Sequence, residues 1–205
     1  MGKREENKKR ITKKILSNAL DLFVEQGFQA CTIDDIVKRS DIARGTFYLY
    51  FPDKLTIFET LTEKMYQPIV QILTSTLEDL KANKDSPFSH QIRYIRTAIE
   101  LAIFVETQKK SLPLHFRELW AAGPQGEAIR NWRVKIESLA EALIDTSIEY
   151  SIIRPVPTKM TSFAVVGATE RVIWGWYQGE LKGSRRVLAQ EMAALFWRGI
   201  EPSSE

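Results

Sequence analysis

The chain has 205 residues, 44% of them apolar and 27% charged, with a formal net charge of +3; this composition buries a globular core and excludes linkers and fibres. Apolar runs such as 101–105, five residues long, fall far short of the ~20 that span a bilayer, and the opening MGKREENKKR is charged where a signal peptide would be apolar. One cysteine, Cys31, excludes an internal disulfide, and with two histidines in separate segments it cannot build a Cys/His zinc site. The expectation is a cytoplasmic all-α protein with no membrane contact, no metal and no cofactor.

Charge is unevenly placed. Residues 1–54 hold 11 Lys+Arg against 8 Asp+Glu, whereas residues 55–205 hold 18 of each. Within 1–14, seven basic residues face only Glu5 and Glu6. A basic arm before a neutral body is the charge pattern of a phosphate-binding terminus; a solvated, frayed end is the alternative.

In chain order, Ile15, Leu16, Ala19, Leu20 and Phe23 recur at helical spacing and predict a first helix over 12–26. Gly27 stops it, and Phe28 folds back on Phe23. Thr32 caps a second helix, with Asp35 placed for a capping box, and Ile33, Ile36 and Val37 form its apolar face to about Ser40. Asp41, Ile42 and Ala43 make a tight turn with Ile42 pointing inward. A third helix over 44–51 turns Phe47 and Phe51 inward, which leaves Arg44, Gly45, Thr46, Tyr48 and Tyr50 on its outer side. Two short helices joined by a three-residue turn after a longer one form a helix-turn-helix. Its outer residues are DNA-facing types: Arg reaches guanine or phosphate, Thr and Tyr donate to phosphate, and Gly admits close backbone approach. A small helical bundle with packed tyrosines has the same periodicity.

The stretch TIDDIVKRSDIARGTFYLYFPDKLTIFETL resembles the DNA-binding signature of TetR-family transcriptional regulators, over about residues 12–61, with RGTFYLYFPDKL the most specific part. The resemblance implies a homodimer with an N-terminal three-helix DNA-binding domain, residues 1–52, and a C-terminal helical ligand-binding and dimerisation domain, residues 53–205. It implies a repressor that leaves a palindromic double-stranded DNA operator when a small-molecule effector binds, and no enzyme. By position, it assigns Arg44, Gly45, Thr46, Tyr48 and Tyr50 to the recognition helix, Thr32 to a phosphate-facing N-cap, and Lys54 to a backbone contact. Asp53 is placed to cap the helix that Lys54 begins. Asp41 stands where the family commonly has glycine, and Ala43 where it has serine, the latter forfeiting ~1 kcal/mol of capping.

Beyond Leu61 the spacing predicts helices over 53–82, bent near Pro68, over 87–108 after a loop at 84–86, from Ser111 to before Gly123, from Pro124 past Ile148, over 158–182, and from Ser184 to Arg198. Residues 98–105 are apolar except Glu100, which predicts a central, buried helix. Ala164, Ala168, Gly175 and Gly179 share one side of the penultimate helix, and Leu188, Met192, Leu195 and Phe196 form a stripe on the last. Glycine inside a helix costs ~1 kcal/mol, so close helix approach is expected, and the resemblance assigns it to the dimer interface. Intramolecular packing is the alternative. Tyr66, Phe104, His115, Phe116, Trp120, Trp132, Trp174 and Tyr177, with Glu170 and Arg171, are candidates for an apolar or aromatic ligand's pocket, against plain core packing.

Three rival functions stay open. A helical enzyme would need chemistry that no G-x-S-x-G, P-loop, G-x-G-x-x-G or H-E-x-x-H motif supplies here. A constitutive dimeric DNA binder would use its body for dimerisation alone. A membrane-surface binder would need an apolar face, which the basic arm lacks.

Overall fold

A computed structural model describes residues 2–82 and 87–200; the loop expected at 84–86 lies outside them. The described residues form α-helices and no strand: α1 (Lys3–Gln26), α2 (Ile33–Ser40), α3 (Arg44–Tyr48), α4 (Lys54–Ala82), α5 (Pro87–Thr107), α6 (Leu112–Glu118), α7 (Pro124–Glu149), α8 (Thr158–Tyr177) and α9 (Arg185–Ile200). The chain divides into two compact units, residues 1–65 with 110–131, and residues 66–109 with 132–205.

In the first unit α1 buries Ile15, Leu16, Ala19, Leu22 and Phe23, one stripe of the helix. It begins at Lys3, nine residues before the predicted start, and residues 3–10 are all exposed. Charge and helix-forming residues carry the helix past the last core contact. Gly27 ends it at φ +89°, with its N–H on the Phe23 carbonyl at 3.0 Å. Phe28 then returns to Phe23 and Phe58, at ring separations of 5.3 and 5.0 Å.

The capping box forms as predicted. Thr32 Oγ1 accepts the Asp35 N–H at 3.1 Å, and the Asp35 carboxylate accepts the Thr32 N–H at 2.9 Å. Asp41 closes α2 in the left-handed region, φ +47°, a conformation Asp tolerates better than most residues. Ala43 caps α3 without a side-chain hydrogen bond. Phe47 and Phe51 are buried beneath α3, although regular helix ends at Tyr48, short of the predicted residue 51.

Asp53 caps α4 by accepting the Thr56 N–H at 2.7 Å, and the helix passes Pro68 without ending. Proline removes one hydrogen bond; buried Met65, Tyr66, Val70 and Leu73 on the surrounding turns hold the helix together. Around α6, Arg117 donates to the Val24 carbonyl at 2.8 Å, Glu118 accepts the Phe28 N–H at 3.1 Å, and Lys110 pairs with Asp21 at 2.6 Å. Thus α6 closes the C-terminal end of α1 with groups that satisfy helix-end carbonyls and turn amides.

The second unit packs around Leu73, Leu80, Leu143, Ile144, Ile152, Ile153 and Trp197. The turn after α7 is held by Arg154, whose N–H donates to the Ile200 carbonyl at 3.0 Å and whose guanidinium donates to Gly199 O at 2.6 Å. Helix α5 is not buried all round. Thr97 and Val105 are buried, but Ile103 is 59% exposed, so an apolar segment here has an inward face and an outward one. Helix α8 ends at Tyr177, earlier than the predicted 182, and Gly179 lies beyond it at φ +77°.

Candidate nucleic-acid interface and effector cavity

The outer side of α3 presents Arg44, Gly45 and Tyr48 to solvent, with Thr46 and Tyr50 half-buried. A Cβ on Gly45 would meet nothing within 4 Å, so the packing of this chain does not require glycine there, and its backbone lies open. Arg44 pairs with Asp34 of α2, and the Tyr48 hydroxyl followed by Asp34 raises its pKa further above the arginine range. Asp34 was not visible as a partner in the sequence, because the pairing crosses the turn. Leu49, also not anticipated, is 80% exposed beside Tyr48, an apolar group of the kind that meets a thymine methyl.

Thr32 is exposed and Lys54 half-buried, and each has its polar group engaged within the chain rather than left open for a phosphate. The Thr32 hydroxyl lies 2.6 Å from Asp35 Oδ2, so its hydrogen is directed into the capping box. Hydrogen bonds from the Thr32 side chain and backbone hold the Asp35 carboxyl below the usual carboxylate range. Lys54 Nζ donates to the carbonyls of Phe28 and Cys31 at 2.6 Å each and to Gln29 at 3.4 Å, and it stands 4.4 Å over the Phe28 ring. Partial burial lowers its pKa. In this geometry Lys54 anchors the α1–α2 turn.

The second unit contains a cavity of about 250 Å³ walled by α4, α5, α7, α8 and α9. Its walls are mainly apolar, including Leu73, Leu101, Ile173, Met192 and Phe196, with Thr76, Thr97 and Tyr94 as polar points and Arg185 as the charged lining residue. A mainly apolar concavity with a few polar points is the general form of a small-molecule site.

None of the ten residues expected at the pocket (Tyr66, Phe104, His115, Phe116, Trp120, Trp132, Glu170, Arg171, Trp174 and Tyr177) lines this cavity. Tyr66 stacks on Trp132 at 5.9 Å, near Arg133, which bridges Glu137 at 3.1 Å and Glu170 at 3.3 Å. Burial raises the pKa of Tyr66 strongly and that of Glu170 less. His115 and Phe116 pack edge to face in the first unit, and Trp120 there is 77% exposed. Trp174 and Tyr177 stack on each other at 5.6 Å, and Arg171 pairs with Glu180 at 2.8 Å. The inward phase of α8 is set instead by Val165, Thr169, Val172, Ile173 and Trp176. Helical periodicity separates faces but does not say which face a neighbour covers.

The stripe expected at a dimer interface is divided the same way. Leu188, Met192 and Phe196 line the cavity, whereas Leu195 is 66% exposed. Gly175 is buried by its own chain: a Cβ there would meet Arg171 Nη1 at 3.0 Å and Leu181 at 3.3 Å, where the chain turns back past α8. Gly179 provides the left-handed residue of that turn, so neither glycine indicates a partner helix. Ala164 is exposed and Ala168 half-buried. Met160 and Phe163 on α8, with Val187 and Leu195 on α9, form the outward apolar surface.

Residues 15–61 match the family model described as bacterial regulatory proteins, tetR family. The chain is 24% identical over 172 residues to YhgD, an uncharacterized HTH-type transcriptional regulator of Bacillus subtilis (strain 168), covering 80% of this chain and 83% of that one. It is 26% identical over 103 residues to IcaR of Staphylococcus aureus (strain Newman), the HTH-type negative transcriptional regulator of the biofilm operon icaADBC, covering 50% of this chain and 55% of IcaR. The fold matches that of the transcriptional regulator FadR from Bacillus subtilis, solved in complex with stearoyl-CoA, with a TM-score of 0.71, 17% identity, and coverage of 92% and 99%. The helix-turn-helix built on α2 and α3 is thus the one that residues 15–61 share with the TetR family of transcriptional regulators.

Proposed function

We propose that the chain is a homodimeric repressor of a palindromic operator, released when a small apolar ligand enters the cavity of the second unit. Residues 1–52 would serve as the DNA-binding domain and residues 53–205 as the ligand-binding and dimerisation domain. The observation that carries this reading is the coexistence of an exposed helix-turn-helix and an apolar cavity of about 250 Å³ in one chain. Repression by IcaR and the stearoyl-CoA complex of FadR support it by similarity.

In this reading Arg44, with Leu49 beside it, reads base edges, and Tyr48, Thr46 and Tyr50 position the helix on phosphates. Helix α4 supplies the link, since it carries Lys54 at its start and Leu73 and Thr76 of the cavity wall further along. To reduce operator occupancy tenfold, a ligand needs ~1.4 kcal/mol of preference for the released state.

Selection of bound sites from a random duplex pool tests the DNA half; a palindromic consensus is expected, and asymmetric sites bound by a monomer would overturn it. Titrating an identified ligand with and without operator tests the switch. Reciprocity requires operator to weaken ligand binding by the factor by which ligand weakens operator. Equal ligand affinities in both titrations would leave a constitutive DNA binder.

A further inference from the structure

We propose that the mouth of the cavity is a headgroup site for an anionic single-chain amphiphile, in which Arg185 and Lys109 beside Trp176 take the carboxylate and the chain fills the apolar interior. The inference rests on the effector reading above and names the class of ligand.

Most of the polar side chains that line the cavity, Thr161 apart, are already partnered within the chain. Thr76 and Thr97 share a hydrogen bond at 3.0 Å, Thr169 donates to the Val165 carbonyl at 2.7 Å, and Tyr94 pairs with Ser147. A ligand's polar end therefore gains little by going inward, where it would lose its hydration without new partners. Charge is concentrated at one edge instead. The Arg185 guanidinium lies 5.1 Å from the centre of the Trp176 ring, and the Lys109 ammonium lies 5.6 Å from the same ring. Arg185 also pairs with Glu106, and both side chains remain partly open to solvent.

Two cations on one indole, with one carboxylate paired to Arg185, leave a local excess of positive charge. The nearby acid Glu180 adds none to offset it, being paired with Arg171 at 2.8 Å. Arginine carries five N–H donors in a planar fork, so Arg185 can keep Glu106 and accept a second carboxylate alongside it. An ammonium headgroup would meet like charge there, and an uncharged one would leave the cations unanswered. The volume fits one chain: if a methylene takes about the ~30 Å³ of a water, about 250 Å³ holds roughly eight methylenes.

The test uses the full chain and three probes with one tail: decanoate, 1-decanol and decyltrimethylammonium, with binding followed by tryptophan fluorescence and calorimetry. Decanoate is expected to bind at least tenfold tighter than the other two. Arg185→Gln and Lys109→Gln should each remove most of that preference, read as the ratio of decanoate to 1-decanol affinity, with 1-decanol still bound to report an intact cavity. Equal binding of decanoate and 1-decanol, or a preference that survives both substitutions, would overturn the headgroup site alone. Ala193→Phe, which places a ring in the cavity wall, should weaken all three probes. If no probe binds the wild type, or if Ala193→Phe changes nothing, the cavity reading itself fails and the headgroup site falls with it.

Discussion

Lys54 and Phe28 are bound twice over: the lysine ammonium donates to the Phe28 carbonyl at 2.6 Å and lies 4.4 Å above the Phe28 ring. The same ammonium reaches the Cys31 carbonyl, so one side chain from the start of α4 gathers the turn that leads into the helix-turn-helix. On the other side of that turn Glu118 accepts the Phe28 N–H. The recognition helix thus inherits its position from a turn held by two charged residues from elsewhere in the sequence.

Lys54→Ala should accordingly act on stability first. Loss of charge-assisted hydrogen bonds is expected to cost about 1–2 kcal/mol, to be read as a lower denaturant midpoint with unchanged slope. Affinity for all duplexes should fall together. A direct phosphate contact would instead lower the salt dependence of binding by about one unit, so an unchanged salt slope separates anchoring from contact.

Arg44→Ala should relax preference at one or two base pairs, at about 1–3 kcal/mol for the base it reads. Asp34→Asn is the informative partner. It frees Arg44 from an exposed, solvent-screened ion pair and removes a negative charge facing DNA, so operator affinity should rise several-fold. Binding titrations at fixed salt check both; weaker binding of Asp34→Asn would mean that Asp34 orients Arg44 productively.

Dimerisation should depend on the outward apolar surface of α8 and α9. Leu195→Glu is expected to shift sedimentation toward monomer with the far-ultraviolet spectrum intact. Met192→Ala, on the cavity side, should leave the oligomeric state unchanged and alter ligand binding. A dimer broken by Met192→Ala and untouched by Leu195→Glu would place the interface on the opposite face.

Acid should loosen the DNA-binding end. The Asp35 carboxyl is held low by Thr32, and that of Glu25 by Arg39. A carboxyl whose folded pKa is depressed adds stability above its unfolded value, ~4, and loses it as pH falls through the folded value. Thr32→Ala removes the first restraint, so it should destabilise the chain near neutral pH and reduce the stability lost as pH falls below about 4. Chemical denaturation at several pH values checks this; a wild-type pH dependence retained by Thr32→Ala would show that the capping box does not set it.

The local signals in the sequence were strong where their causes are local. Gly27, the Thr32–Asp35 box, the left-handed Asp41 and the pair Phe47 and Phe51 each act within a few residues, so spacing and side-chain chemistry alone located α2, the turn and α3. Family resemblance then supplied the function of that segment. Tertiary structure decided what those rules do not reach. The resemblance assigns Lys54 to a DNA-backbone contact, and nothing in the sequence shows the carbonyls 23–26 residues upstream that converge on it. In α8 the sequence offers Trp174 and Tyr177 as pocket candidates, yet Trp176 is the aromatic that lines the cavity, because the packing of α5 and α9 chooses the face. Gly175 and Gly179 looked like marks of a partner helix, and the return of Leu181 onto α8 accounts for both. Side-chain periodicity carries phase without direction, and direction is fixed only when the helices pack against one another.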